Sequence, residues 1–283
     1  MNNRLCLYIS PFSSTNSYLE MVDIAANYGF SYLETLNQYE LATPDESFAR
    51  RLRAYADQKG VRFGCVSVGV NLVGEGRHEQ VELAKRYVDI AVILGSPIFH
   101  HTIAVEFEHP EAVLSHFDTF YAQGLAAVRE IADYAAARGV RTVCEDQGFL
   151  FNGVENYGRF LNDVERNIGT VADFGNIMFV DEAVENFIPV FADHVRHVHL
   201  KDYILTAKEE RERQPDENRS RDGNYLRNCL IGEGAVDFDA AFAALKAMNY
   251  SGLFSLESPP LCDDEEESFR HNIRMAKRYI ETL

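Results

Sequence analysis

Four short apolar runs in the second half of the chain each end on a residue able to ligate a metal. Arg141-Thr142-Val143-Cys144 ends at Glu145, Gly169-Thr170-Val171-Ala172 at Asp173, Val195-Arg196-His197-Val198 at His199, and Leu253-Phe254-Ser255-Leu256 at Glu257. Two Glu, one Asp and one His form an oxygen-rich set with one imidazole. That mixture suits a divalent ion, Mn first with Mg, Co or Zn as alternatives, and leaves positions open for substrate oxygens. Singly, each residue has an ordinary explanation: a helix cap or surface position for either Glu, a satisfied core position for His199, an N-cap for Asp173. Jointly they point to a cation, because carboxylates ending consecutive buried strands repel one another without one.

Other polar residues end the earlier runs. His100 and His101 close one of them, and successive strand residues point to opposite faces, so only one can face the same space as the ligands. Alternation with Ile98 and Thr102 selects His100, as a substrate contact or base. Glu34 is read either as binding a substrate hydroxyl or as a structural salt bridge. Lys201 is read either as stabilising an enolate or as pairing with Asp202 to hold the next loop. Ser67 and Asn71 are further substrate-contact candidates, and Glu233 is assigned to turn chemistry.

To converge, these residues must stand at one end of a common sheet. Runs at 4–10, 31–36, 62–69, 97–102, 140–146, 169–174, 195–201 and 252–257 read as strands. They are nearly continuous in apolar character, as in a parallel sheet covered by helices. Helical patterns at 17–28, 45–59, 77–94, 111–138, 155–166, 182–193, 238–248 and 264–281 alternate with them, several stopping at a glycine. Strict alternation with no Pro/Gly/Ser linker predicts a single-domain (β/α)8 barrel, a TIM barrel, over residues 1–283 rather than an open doubly wound sheet. After the first strand, Ser10-Pro11-Phe12-Ser13-Ser14 lacks the glycines of a phosphate cradle. Barrel enzymes place catalysis at the C-terminal strand ends, where the four ligands stand. A long charged loop at about 203–236 breaks the rhythm on that same face, as a lid, a subunit contact or a solvated excursion.

Composition narrows the partners. Forty-four acidic against 27 basic residues give a net charge of −17, which disfavours phosphate backbones, so no nucleic-acid partner is expected. No run of about 18 apolar residues occurs, so no membrane span is expected either. The Leu5–Ile9 run is too short for a signal-peptide core, which favours the cytoplasm. Five scattered cysteines without a CxxC pair fit a reduced compartment, with Cys6, Cys65 and Cys144 as buried thiols.

The chain resembles the xylose isomerase-like TIM-barrel superfamily, the sugar phosphate isomerase/epimerase family. The resemblance rests on Val143-Cys144-Glu145-Asp146, Gly169 to Asn176, His197-Val198-His199-Leu200-Lys201-Asp202, Gly232-Glu233-Gly234-Ala235-Val236-Asp237-Phe238 and Gly252 to Glu257, in the family's order and spacing. Gly29 to Glu34 looks like the family's second strand. The resemblance implies Glu145, Asp173, His199 and Glu257 as metal ligands and a carbohydrate substrate. It further implies Glu145 and Glu257 as the acid/base pair of a metal-dependent isomerase or epimerase, and a homo-oligomer, dimer or tetramer, as the alternative to a monomer. In the ketose 3-epimerase branch a histidine usually stands three residues after the strand-six aspartate; here Asn176 takes its place as a substrate contact. That branch's glutamate and arginine are replaced by Phe151 and Leu205. A dehydratase or lyase acting on a keto-cyclitol or 3-keto-glycoside, inosose dehydratase-like or C-glycoside-cleaving, is the competing expectation. An abasic-site endonuclease on the same barrel would need a basic groove and further ligands in the first half of the chain. A non-catalytic binding subunit would not need the ligand set.

Overall fold

Eight strand-forming runs with a helix after each can close into a barrel when all the helices pack on one outer face. A computed structural model of the chain describes residues 4–105, 114–261 and 263–283. Seven strands come first: β1 (Leu5–Leu7), β2 (Tyr32–Thr35), β3 (Arg62–Val68), β4 (Ile98–His101), β5 (Arg141–Glu145), β6 (Gly169–Asp173) and β7 (Val195–Leu200). A three-stranded excursion comes next, of β8 (Asp202–Thr206), β9 (Asn218–Arg219) and β10 (Tyr225–Cys229), and then β11 (Leu253–Leu256). Strands β1 to β7 and β11 form a closed parallel barrel in the order β1-β11-β7-β6-β5-β4-β3-β2. The helices are α1 (Tyr18–Asn27), α2 (Glu46–Lys59), α3 (Arg77–Leu94), α4 (Phe117–Ala136), α5 (Val154–Asp163), α6 (Val184–Val190), α7 (Phe238–Ala247) and α8 (Glu265–Ile280). The (β/α)8 barrel predicted from the alternation is the observed fold.

Local chemistry explains these elements. In α2, Asp45 accepts from the Phe48 N–H at the N-terminus. Its buried face is Phe48, Ala49, Leu52 and Ala56, a helical stripe against the barrel. It stops at Gly60, whose φ of 74° suits glycine. Asp237 and Asp264 cap α7 and α8 in the same way. No helix among the described residues is long and apolar enough to cross a membrane.

Boundaries differ from expectation where a local feature intervenes. The first strand, expected over 4–10, stops at Leu7, because Ser10 and Phe12 form a side-chain turn and Tyr8 leaves the ladder to lay its ring against His199. The helix expected at 182–193 shrinks to Val184–Val190: Pro189 leaves it one ladder bond short, and the chain turns at once after Phe191, whose carbonyl accepts from the N–H groups of His194 and Val195. Of the helix expected at 111–138, residues 111–113 lie outside the described residues, as does Cys262.

The segment expected as one charged loop at 203–236 folds instead as an antiparallel flap, with Tyr203 opposite Asn228 and Tyr225 opposite Arg219. The flap is fastened to the β6–α6 connection. Asp181, at a φ of 59°, accepts from Ser220 Oγ at 2.7 Å, the Asp222 N–H at 2.9 Å and Asn224 Nδ2 at 2.9 Å. Arg221 donates to the carbonyls of Phe179 and Val180, both at 2.8 Å.

Two register shifts in the barrel set the height of polar side chains at its rim. Between β6 and β7, Thr170 pairs with Val195 but Val171 pairs with His197, skipping Arg196. Side chains alternate along a strand, so the skip sets Asp173 level with His199 rather than Val198. A second shift between β2 and β3 sets Glu34 level with Cys65.

Candidate metal centre

The four expected ligands stand on neighbouring barrel strands or directly after them, β5, β6, β7 and β11. His199 is the hub. Its Nδ1 lies 2.9 Å from Glu257 Oε2, 3.6 Å from Asp173 Oδ2 and 3.7 Å from Glu145 Oε2. Ligand atoms of Glu145, Asp173 and His199 all fall within 4.8 Å of one another. Asp173 is tethered through its other oxygen, which accepts from the N–H groups of Gly175 and Asn176, both at 2.8 Å. Its Oδ2, with His199 Nδ1 and Glu257 Oε2, is buried without a hydrogen bond of good geometry among the described residues, although Lys201 Nζ stands 3.0 Å from Oδ2 and Glu257 Oε2 stands 2.9 Å from Nδ1. Buried polar atoms are rarely left so, and three of them aimed at one point fit a cation.

Charge supports the same conclusion. Asp173 and Glu257 face the buried cation Lys201, whose Nζ is 2.9 Å from Glu257 Oε1 and 3.0 Å from Asp173 Oδ2, and His199, whose pKa burial lowers but Glu34, Asp173 and Glu257 together hold well above the usual value. Burial penalises the charged form of Asp173, but Lys201 and His199 outweigh it and hold the carboxyl below its ordinary range. Glu257 is pushed up by burial, against the pull of Lys201. Burial also opposes a charged Lys201, yet Asp173 and Glu257 hold its pKa well above the usual value. Behind Glu145, Asp146 is fully buried, and desolvation with Asp173 and Glu145 nearby raises its carboxyl well above the ordinary range.

Beneath the hub lies Glu34, fully buried. Its Oε1 accepts from Ser67 Oγ at 2.5 Å and faces His199 Nε2 at 3.1 Å. Its Oε2 faces His197 Nε2 at 2.8 Å and accepts from Ser255 Oγ. Glu34, His197 and His199 also lie close enough to hold an ion. Glu34 already has four partners there, so this group fits hydrogen bonding rather than a metal. Of the two expectations for Glu34, substrate hydroxyl or structural contact, the geometry places it in the second. Both its oxygens are engaged below the imidazole that faces the ligands.

The remaining expected residues divide. His100 stands level with Ser67 across β3 and β4, its Nε2 3.5 Å from Glu145 Oε1 and without a hydrogen-bond partner. His101 turns away, its Nδ1 2.9 Å from the Thr102 carbonyl, so of the two histidines it is His100 that faces Glu145. Lys201 pairs with Glu257 and Asp173, not with Asp202. Asp202 instead accepts from four backbone N–H groups, of Tyr203, Gly232, Gly234 and Val236. The Gly-Glu-Gly turn wraps that carboxylate, and a Cβ on Gly234 would collide with it. Asn176 is buried beside Asp173, its carbonyl accepting from Asn152 Nδ2 at 2.8 Å. Phe151 is buried against Tyr121 and Phe160, while Leu205 is exposed on the flap. A cavity of about 510 Å³ beside Leu205 is lined by Phe174, Asp181, Glu182 and Val236 among others, and by none of the four ligands. Sequence inspection overlooked His197, Ser255 and Tyr8. The available signal was period-two spacing, since His197 and Ser255 precede His199 and Glu257 by two residues.

Known proteins share this architecture. An inosose dehydratase of Geobacillus thermodenitrificans (strain NG80-2) is 26% identical over 134 residues, 46% of this chain. The match spans only 44% of that enzyme's length. A xylose isomerase domain protein from Planctomyces limnophilus superposes with a TM-score of 0.77 at 18% identity, covering 99% of this chain and 97% of its own. A 3-keto-D-glucoside 4-epimerase from E. coli superposes with a TM-score of 0.75 at 16% identity, covering 97% of this chain and 99% of its own. The model of the xylose isomerase-like TIM barrel matches residues 22–279, nearly the whole barrel, and the chain therefore belongs to that family.

Proposed function

We propose that the chain is a divalent-metal-dependent isomerase or epimerase that acts on a sugar or keto-sugar through an enediolate. The observation that carries this is the convergence of Asp173 Oδ2, Glu257 Oε2 and His199 Nδ1, all buried and none in a hydrogen bond of good geometry among the described residues, on one point beside Glu145. Glu145, Asp173, His199 and Glu257 hold the ion, Mn by first choice, with Mg, Co or Zn as alternatives. When bound, the ion polarises the substrate carbonyl and offsets negative charge as it develops.

The residues of the chain do the rest. Glu145 on β5 and Glu257 after β11 flank Asp173 and His199 around the barrel. Carboxylates on two sides let one remove the proton alpha to a carbonyl and the other return it, which inverts the centre. One of them suffices for aldose–ketose isomerisation. Lys201 fixes Glu257 and adds positive charge near the forming enolate, while His100 and Asn176 meet substrate hydroxyls. The substrate is a small carbohydrate, consistent with a chain of net charge −17.

A second reading keeps these ligands and changes the outcome: the same proton abstraction followed by loss of a β-hydroxyl as water, on a keto-cyclitol or 3-keto-glycoside. Two observations favour it. Phe151 is sealed in an aromatic cluster and Leu205 lies out on the flap, so neither replaces the epimerase contacts at those positions. The sequence relative is named an inosose dehydratase.

The test is product analysis by NMR in D2O on a panel of ketoses, keto-inositols and 3-keto-glucosides, after EDTA treatment and after adding back Mn2+, Mg2+, Co2+ or Zn2+. Deuterium incorporated with every substrate atom retained supports isomerisation; loss of water supports the second reading. Turnover that survives EDTA, or full activity in Glu257→Gln, sinks both.

A further inference from the structure

We propose that the chain Glu34–Ser67–His100 locks His100 as a hydrogen-bond acceptor, so that the site selects a substrate presenting a hydroxyl donor beside Glu145. The identity of that substrate rests on the carbohydrate reading above; the state of His100 does not.

Counting protons fixes the tautomer. Ser67 Oγ lies 2.5 Å from Glu34 Oε1 and donates to it. A serine hydroxyl has one proton, and this one is spent. Ser67 can then only accept from His100, whose Nδ1 is 3.0 Å from the same Oγ. The other group near that oxygen is Cys65 Sγ at 3.7 Å, which does not compete for the position. A neutral imidazole carries one N–H, so with Nδ1 as the donor, Nε2 keeps a bare lone pair. That Nε2 is buried, has no hydrogen-bond partner among the described residues and sits 3.5 Å from Glu145 Oε1.

Two acceptors therefore face each other across a short gap. Neither can satisfy the other, and a hydroxyl lying alongside the pair can donate to His100. The same carboxylate holds His199: Glu34 faces its Nε2 at 3.1 Å, while its Nδ1 stands 2.9 Å from Glu257 Oε2 and 3.6 Å from Asp173 Oδ2. One buried glutamate thus positions two histidines, His199 among the metal ligands directly and His100 toward the substrate through Ser67. Ser67 is a positioning residue in this scheme, acting through His100. A polyhydroxylated substrate offers the hydroxyl that His100 requires.

The test uses the full-length protein labelled with 15N-histidine and long-range 1H–15N correlation, before and after adding Mg2+. The wild type is expected to show His100 protonated on Nδ1 and bare on Nε2. Ser67→Ala is expected to redistribute the His100 proton while leaving His199 and the Mn2+ affinity unchanged. For a keto-inositol that the wild type turns over, kcat/KM should fall about tenfold in Ser67→Ala, the worth of one oriented hydrogen bond, and recover in Ser67→Thr. A wild-type His100 carrying its proton on Nε2, or on both nitrogens, overturns the proposal without any variant. So does a metal affinity that falls in step with turnover in Ser67→Ala, or more than one Mg2+ bound per chain with His100 as a ligand. If Mg2+ leaves His199 unmoved, the metal reading fails, and the tautomer of His100 still decides this proposal.

Discussion

Replacing Glu34 by Gln removes one charge and keeps the shape, at a position that touches neither solvent nor the four ligands' open side. The carboxylate meets Ser67 and His199 at one oxygen and His197 and Ser255 at the other. An amide accepts at one end only, so whichever way it turns, its NH2 confronts two former donors. If the NH2 faces His199, the imidazole must carry its proton on Nδ1, the atom directed at Glu257 and Asp173. Each hydrogen bond to a charged group is worth about 1.5–3 kcal/mol, so two lost bonds cost about 3–6 kcal/mol before relaxation. Serine hydroxyls can rotate to accept, which leaves a net destabilisation of about 2–4 kcal/mol. Outer partners of metal ligands typically contribute 10- to 100-fold in affinity, so Mn2+ binding should weaken by about that factor. The assay is EPR titration of free Mn2+ against the stripped protein, paired with urea unfolding of the same sample. An unchanged Kd with an unchanged urea midpoint would refute the role assigned to Glu34.

Three other perturbations probe the same geometry. Lys201→Met removes the cation that shares Asp173 and Glu257, so Mn2+ should bind roughly tenfold tighter while kcat falls; calorimetry showing weaker binding would contradict this. Asp202→Ala leaves four backbone N–H groups without their acceptor, and urea unfolding should report a loss of about 3 kcal/mol, with a negligible change counting against the account of the Gly-Glu-Gly turn. In the flap, Arg211 and then the Gln214 N–H hold Glu217 down from 4.5 to about 2. A folded value below the unfolded one means this contribution is complete above about pH 4.5 and is lost as pH falls toward 2; a carboxyl 13C titration of Glu217 centred near 4.5 would remove it.

Much of the site was legible one residue at a time. Glu145, Asp173, His199 and Glu257 each close an apolar run, and a polar residue at the end of a buried strand can only lie at the rim of the barrel. His100 could be separated from His101 because side chains alternate along a strand. The eight-fold alternation of strand and helix, with glycines at helix ends, settled the barrel, because short local patterns determine those elements.

What needed the tertiary structure is whatever depends on register and on partners far apart in the chain. Glu34 lies 163 residues from His197 and 221 from Ser255, and nothing local to it signals either contact. The skip at Arg196 that brings Asp173 level with His199 is a property of two strands together. Lys201 precedes Asp202 in the chain yet turns to Asp173 and Glu257, because four backbone N–H groups already claim the Asp202 carboxylate. The flap was hidden for a related reason: its strands are short and charged, and it is held by hydrogen bonds to Asp181 about forty residues earlier. Residue type and period thus determined which side chains reach the rim. Closure of the barrel decided which atoms of those side chains remain bare, and the chemistry of the site lies in those atoms.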